Sequence, residues 1–238
     1  IIDRKIYSEE YTTFIGADNY EIGRAAGLFI NSLLKKKKTT IVEVWGREGS
    51  SSARDRHNGF SDALIHNDNV ILKTVYGRWH AKETKENIAA LGLFDDIDIV
   101  YAHNDPMALA AREAIMEIDP LAVKRIKFIG IDALPGKGKG IEAVSNGYLT
   151  ASFVYPTGGT TAIKVAWQIL NGQPVSKQYA LTSALIDKEN AGTLYLQTEQ
   201  LADYQEQIEK QRNNLEEMLS EYRFLQNSVG LILLLLGV

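Results

Sequence analysis

Residues 97–109 read Ile97-Asp-Ile-Val-Tyr-Ala102-His-Asn104-Asp105-Pro-Met107-Ala-Leu109. A run rich in β-branched and aromatic residues ends in a polar triplet, and a proline then leads into helical spacing over 107–118. This is the strand–turn–helix step from which a parallel sheet is built. The step recurs on both sides. β-rich runs at 12–17, 40–45, 70–76, 127–132 and 150–155 alternate with helical spacing at 21–34, 52–65, 81–93 and 140–146. The pattern predicts an α/β fold, a doubly wound parallel sheet with helices on both faces. In such sheets ligands bind outside the carboxyl ends of the strands.

Those ends carry polar or aromatic residues. Trp45-Gly-Arg-Glu-Gly-Ser50, Tyr76-Gly-Arg-Trp79, His103-Asn104-Asp105 and Ile131-Asp132 each follow a predicted strand. One such group per strand end suits a cleft for a small polar molecule. Asn and Asp in these places also cap the helix that follows. Both readings stand for any one position, and the four together favour the cleft.

After residue 155 the pattern continues with a helix over 160–170, closed by Asn171-Gly172, and β-rich segments at 178–186 and 193–196. The character then changes. Leu201, Tyr204, Ile208, Gln211, Leu215, Met218, Tyr222 and Leu225 follow one another at alternating steps of three and four, a heptad seam with one polar member, Gln211. The seam predicts a dimeric stalk over 196–227, and the alternative is a helix packed on its own domain. Residues 229–238 are almost wholly apolar. That is about half of the roughly 20 residues a bilayer span needs, so 228–238 is read as the start of a transmembrane helix, with a merely apolar C-terminus as the alternative. The chain opens Ile1-Ile2-Asp3-Arg4, without Met or a signal-peptide pattern, and both ends read as cut.

Composition removes several classes. The 238 residues are 45% hydrophobic and 24% charged, with 26 Lys+Arg against 30 Asp+Glu. The excess of acid lies in 197–226, which holds seven acids and three bases. Neither part has the basic field of a nucleic-acid binder. With no cysteine, disulfides and thiol chemistry are excluded. Gly136-Lys-Gly-Lys-Gly140 lacks P-loop spacing, and Gly46-Arg-Glu-Gly-Ser50 lacks the dinucleotide fingerprint, although it opens a helix and could hold an anion. His57, His66, His80 and His103 show no metal-ligand spacing. No nucleophile elbow is present, and Lys35 to Lys38 reads as a solvated helix end. No cofactor or metal is expected.

Several segments, taken in order, resemble the ribose-binding-protein-like periplasmic sugar-binding proteins of the type I fold. They are Asp3-Arg4, Ile15-Gly-Ala-Asp-Asn19, Gly23-Arg-Ala-Ala-Gly27, Gly49-Ser-Ser-Ser-Ala-Arg54-Asp-Arg56-His-Asn-Gly59-Phe60, Ala102 to Leu109, Ile129-Gly-Ile-Asp132 and Gly147-Tyr-Leu-Thr-Ala151. The resemblance covers residues 1 to about 180. It implies two α/β lobes, a three-segment hinge and sugar in the cleft. Residues 1–17 would end a first lobe whose larger part is missing, 18–154 would form the second, and 155–195 would be hinge and return to the first.

It also implies a site. Asp3 and Arg4 would be polar sugar ligands from the first lobe, Arg56 the cleft arginine, and Trp79 the aromatic against the sugar ring. Asn104 and Asp132 would take hydroxyls. Tyr155 stands where ribose binders have a polar hinge residue, and Ile131 where they often have an aromatic. The chemistry suits hydroxyl groups, which are donors and acceptors at once: carboxylates accept, a guanidinium donates in a fork, and an amide does both. With its stalk and apolar end, the chain resembles the periplasmic sensor domain of a membrane histidine kinase, in a hybrid two-component system. The expectation is a non-catalytic segment, anchored in the inner membrane and dimeric through its C-terminal helix. It would bind a fructose- or ribose-like monosaccharide. The alternatives are the binding component of a sugar ABC transporter, a lactose-repressor-like core and a small α/β enzyme.

Overall fold

Residues 39–45 read Thr-Thr-Ile-Val-Glu-Val-Trp and are buried on both faces up to Trp45, as a central parallel strand must be. The computed structural model describes residues 1–6, 8–34, 38–64 and 69–236, with side chains as far as Val229. Among these residues the strands form two sheets. β1 (Phe14–Ala17) pairs in parallel with β7 (Gln178–Leu181). The larger sheet takes β2 (Thr39–Trp45), β3 (Val70–Tyr76), β4 (Ile97–Ala102), β5 (Lys127–Ile129), β6 (Ala151–Phe153) and β8 (Leu185–Asp187) in the order β3-β2-β4-β5-β6-β8. All its pairings are parallel except β6 with β8.

Alternation along the strands divides the core. Ile41, Ile99, Tyr101, Ile129 and Ile131 meet Ile22, Ala26 and Ile30 of α1 (Asn19–Leu33) and Phe60 of α2 (Ser51–Leu64). Val42, Val44 and Val100 face the other way, against α3 (Ala81–Ala89), α4 (Asp105–Ile118), α5 (Pro120–Arg125) and α6 (Gly140–Ser145). Local chemistry starts the helices. Asp18 Oδ1 accepts the Glu21 N–H at 3.1 Å to cap α1, and Asn104 Oδ1 accepts the Met107 N–H at 2.9 Å to cap α4. α7 (Gly159–Leu170) and α8 (Ala191–Leu236) complete the order.

Two expectations change, and one helix is added. Residues 193–196 are helical, inside α8, because Ala191, Leu194 and Tyr195 pack on the α3–α6 side of the sheet. Residues 155–195 do not return together: β7 joins β1, whereas β8 extends the larger sheet. α5, which the hydrophobic pattern did not predict, is started by Asp119, whose Oδ1 accepts from Leu121 and Ala122 N–H.

The chain divides into two compact units, 1–195 and 196–238. The second unit is helix from Leu196 to Leu236, and Leu201, Tyr204, Ile208, Leu215, Met218 and Tyr222 of the seam are exposed on the single chain. No helix among the described residues is long and apolar enough to cross a membrane. The side chains of 230–236 and residues 237–238, where the transmembrane start was expected, lie outside the described residues, as do Lys35 to Lys37, Ile65 and His66.

The α1–α2 contact depends on two glycines. A Cβ on Gly23 would stand 2.0 Å from the Arg56 carbonyl oxygen, and one on Gly59 1.9 Å from that of Tyr20. Gly23→Ala should therefore force the helices apart. Overpacking costs about 1–3 kcal/mol, which exceeds the roughly 1 kcal/mol of helix propensity gained. Thermal unfolding should show a lower midpoint for this variant; a midpoint at or above wild type would contradict the close contact.

Candidate functional site

The sheet sets out the site by placing its strand ends in a row. Arg56 comes from α2, which follows β2. Trp79 follows β3, Asn104 follows β4, Asp132 follows β5 and Tyr155 follows β6. Asp3 and Arg4 come from the N-terminal segment that runs beside β1, where the Asp3 N–H donates to the Ile15 carbonyl at 2.9 Å. All seven side chains expected from the sequence line one cavity of about 240 Å³. Ser52 is the eighth lining residue and was not expected. It stands in the first turn of α2, in the Gly49-Ser-Ser-Ser stretch of the family resemblance.

Arg56 is 4% exposed. Its Nε donates to Asn19 Oδ1 at 2.8 Å, and its Nη1 donates to the His103 carbonyl. The guanidinium carbon lies 4.9 Å from the Tyr155 ring centroid and 5.6 Å from that of Trp79, within cation–π range. Burial pulls its pKa down, and Asp132 is the strongest of the groups that hold it up.

The carboxylates are not equivalent. Burial pushes Asp132 up to about 6, with Asp3 adding repulsion and Arg56 opposing both. The Tyr155 hydroxyl donates to Asp3 Oδ1 at 2.6 Å, and burial together with that bond pushes the phenol up to about 12. Arg4 Nε lies 3.6 Å from Asp3 Oδ2 on the exposed rim. Asn104 caps α4 through its oxygen and also lines the cavity. Trp79 sits at φ 73°, after Arg78 at φ 48°, so the backbone is strained where it turns the indole inward.

Two buried polar groups lie behind the cavity, of which Glu43 carried no signal in the sequence and Asp105 was read only as one of the strand-end polar residues. Glu43 of β2 is 0% exposed and lies between His57 and His103. Asp105 is 3% exposed, accepts from Ser152 Oγ at 2.6 Å and from the Ala133 N–H at 2.7 Å, and is pushed by burial up to about 7. Among the described residues no group of His, Cys, Asp and Glu side chains could hold a metal ion.

The family described as periplasmic binding protein domain matches residues 1–174. The ribose import binding protein of Salmonella typhimurium is 29% identical over 195 residues, covering 79% of this chain and 62% of that protein. The galactofuranose-binding protein of Escherichia coli K12 is 34% identical over 143 residues, covering 57% and 45%. Among solved structures, the fructose-binding periplasmic domain of a hybrid two-component system superposes with a TM-score of 0.80 at 40% identity, covering 88% of this chain and 70% of that one. An ABC transporter solute-binding protein from Mycobacterium smegmatis, with bound glycerol, gives 0.73 at 27%, covering 82% and 67%. The chain thus spans about 62% of the length of the curated ribose-binding relative.

The indole of Trp79 rests on Gly46, where a Cβ would stand 2.2 Å from the ring. Gly46→Ala should displace the indole from the cavity wall. Its tryptophan emission should shift while far-ultraviolet dichroism stays as in wild type. An unchanged emission spectrum would show that the wall does not depend on this contact.

Proposed function

The chain belongs to the periplasmic binding protein domain family, a family of binding proteins rather than enzymes, and from that premise we propose that its cavity binds a monosaccharide of the fructose or ribose kind. The observation that carries the reading is the convergence of Asp3, Arg56, Trp79, Asn104, Asp132 and Tyr155, from separate segments, on one cavity. The cavity is smaller than the roughly 300–1,000 Å³ of drug-sized ligand pockets, which suits a single sugar ring. Carboxylates would accept hydroxyl protons, Arg56 and Asn104 would donate, and Trp79 would cover the apolar C–H face. In this reading the two-stranded sheet is part of a first lobe, the larger sheet is the second, and sugar closes one on the other by hinge motion.

A sensory role is the reading we favour for the whole protein. It is supported by the hybrid two-component neighbour and by the exposed heptad seam of α8. Closure in the periplasm would be relayed along a dimeric stalk, anchored in the inner membrane, to a cytoplasmic histidine kinase. The import binding proteins among its relatives favour a second reading, the binding component of a sugar ABC transporter. Gln211 at a seam position would fix register at some cost in stability.

Calorimetry against D-fructose, D-ribose and other monosaccharides tests the site. Arg56→Ala, Asn104→Ala and Asp132→Ala should each weaken binding by roughly 5- to 150-fold, the equivalent of about 1–3 kcal/mol for a buried group left unpaired. Affinity should also rise with pH through about 6, the Asp132 value, because the carboxylate accepts two hydrogen bonds from hydroxyl groups where the acid accepts fewer. Unchanged affinity in all three variants would remove the assignment.

The stalk has its own test. Ile208→Asp and Leu215→Asp put a charge into the apolar seam and should abolish dimerisation while leaving sugar affinity nearly unchanged. Cysteines at seam positions should cross-link between subunits of the membrane-bound protein. Normal signalling by both Asp variants, or no cross-linking with and without sugar, would exclude the stalk as transmitter.

A further inference from the structure

Glu43 is the one ionisable residue of β2, a strand otherwise made of Thr, Ile, Val and Trp. A carboxylate held fully out of water needs several donors. It has them: His103 Nε2 lies 2.9 Å from Oε1, and His57 Nδ1 lies 3.1 Å from Oε1 and 3.0 Å from Oε2. Burial pushes the Glu43 pKa up, but the bonds from the two imidazoles outweigh it and bring the group to about 2.

The other nitrogen of His103 fixes the protonation pattern. The Gly46 N–H points at His103 Nδ1 at 3.2 Å. An amide can only donate, so Nδ1 must carry a lone pair, and the single imidazole proton sits on Nε2, facing Glu43. The chain of contacts therefore runs from Glu43 through the His103 ring to Gly46, on whose face the Trp79 indole rests. A second branch leaves the same residue: the His103 carbonyl accepts from Arg56, and the next residue along is Asn104. Three of the cavity's residues are thus tied to His103, Trp79 through its ring and Arg56 and Asn104 through its backbone. Glu43 itself does not line the cavity.

We propose that Glu43 is a positioning residue of the cleft, which by holding His103 in one tautomer and one orientation sets Trp79, Arg56 and Asn104 for the ligand. The proposal rests on the sugar reading above for the identity of the ligand, but not for the tautomer. His57, on the half-exposed side of the carboxylate, completes its coordination.

Nitrogen-15 NMR of the histidine rings in the unligated full chain should show His103 with its proton on Nε2 and Nδ1 bare. A proton on Nδ1, or on both nitrogens, near neutral pH overturns the proposal, and this measurement needs neither a variant nor a ligand. Glu43→Gln keeps the shape but replaces a charged acceptor at His103 Nε2 by a weaker neutral one, so it should shift the His103 ring nitrogen-15 signals and weaken D-fructose or D-ribose binding by about tenfold, the size of one charge-assisted hydrogen bond. Positioning also makes the losses non-additive: Trp79→Ala should cost less in the Glu43→Gln background than in wild type. Full additivity, or wild-type affinity in Glu43→Gln, overturns the proposal. Wild-type protein that binds neither sugar, with His103 in the expected tautomer, counts against the sugar reading instead.

Discussion

The buried guanidinium of Arg56 is the constraint around which the larger sheet and its helices are arranged. A cation 4% exposed must have its protons taken and its charge faced by protein groups. The groups that do this come from different elements: Asn19 opens α1, His103 follows β4, Trp79 follows β3, and Tyr155 follows β6. Each must arrive within hydrogen-bond or stacking distance of one side chain. The α1–α2 pair has to close tightly enough for Asn19 to reach Arg56, and the glycines at 23 and 59 allow it, since any Cβ there would meet the opposite backbone. Fold and cavity are therefore one packing problem, with a charge as its centre.

The opposing charge is delivered by strain. Asp132 has φ 125° and Ala133 φ 46°, in the region that favours glycine. Such a turn persists only where its surroundings over-determine it. Asp105 supplies the hold. Its Oδ2 accepts the Ala133 N–H and its Oδ1 accepts the Ser152 hydroxyl, while its own N–H donates to the Ile131 carbonyl at 2.7 Å. Gly130 and Gly140 leave room for this carboxylate, because a Cβ at either would stand about 2 Å from it. Two neighbouring residues of α4 and its cap thus divide the work: Asn104 faces the cavity, and Asp105 anchors the loop that presents Asp132.

Strand–turn–helix order was legible because parallel sheets write it as a repeated composition change, and Trp79, Asn104 and Asp132 were legible because they stand at its punctuation; Asp3, Arg4, Arg56 and Tyr155 were named only by the family resemblance. Glu43 was not, since one acid in an apolar run reads only as a strand, and its meaning depends on two histidines 14 and 60 positions away. Ser52 was hidden by the same locality: a serine in the first turn of a helix carries no local sign of the cavity it lines. Residues 193–196, Thr-Leu-Tyr-Leu, carry strand-like residue types, and what makes them helical is Leu194 and Tyr195 packing on the α3–α6 side, a tertiary effect. The single β-rich segment read over 178–186 is two strands, β7 and β8, and the sheet that β8 joins depends on antiparallel pairing with β6; a pairing partner is not encoded in local pattern.

The charge balance of the cavity explains why a polyhydroxyl ligand, rather than a charged one, fits the proposed role. Asp3 raises Asp132, so the two carboxylates repel across the cavity, and Arg56 only partly offsets the cost of burying Asp132, which stays at about 6. Asp3 has a donor in the Tyr155 hydroxyl; Asp132 is left with the guanidinium and the cavity. A ligand carrying a cation would match the acids but set its charge against Arg56. An anion would meet both carboxylates. Hydroxyl groups donate to each carboxylate and accept from the guanidinium without adding net charge, so they complete the pairing on every side. Because Asp3 comes from the segment beside β1 and Asp132 from the larger sheet, moving those parts together brings like charges closer. Under the proposed hinge closure, a ligand that donates to both would remove that penalty only in the closed arrangement, and differential affinity of this kind would couple binding to a change of shape.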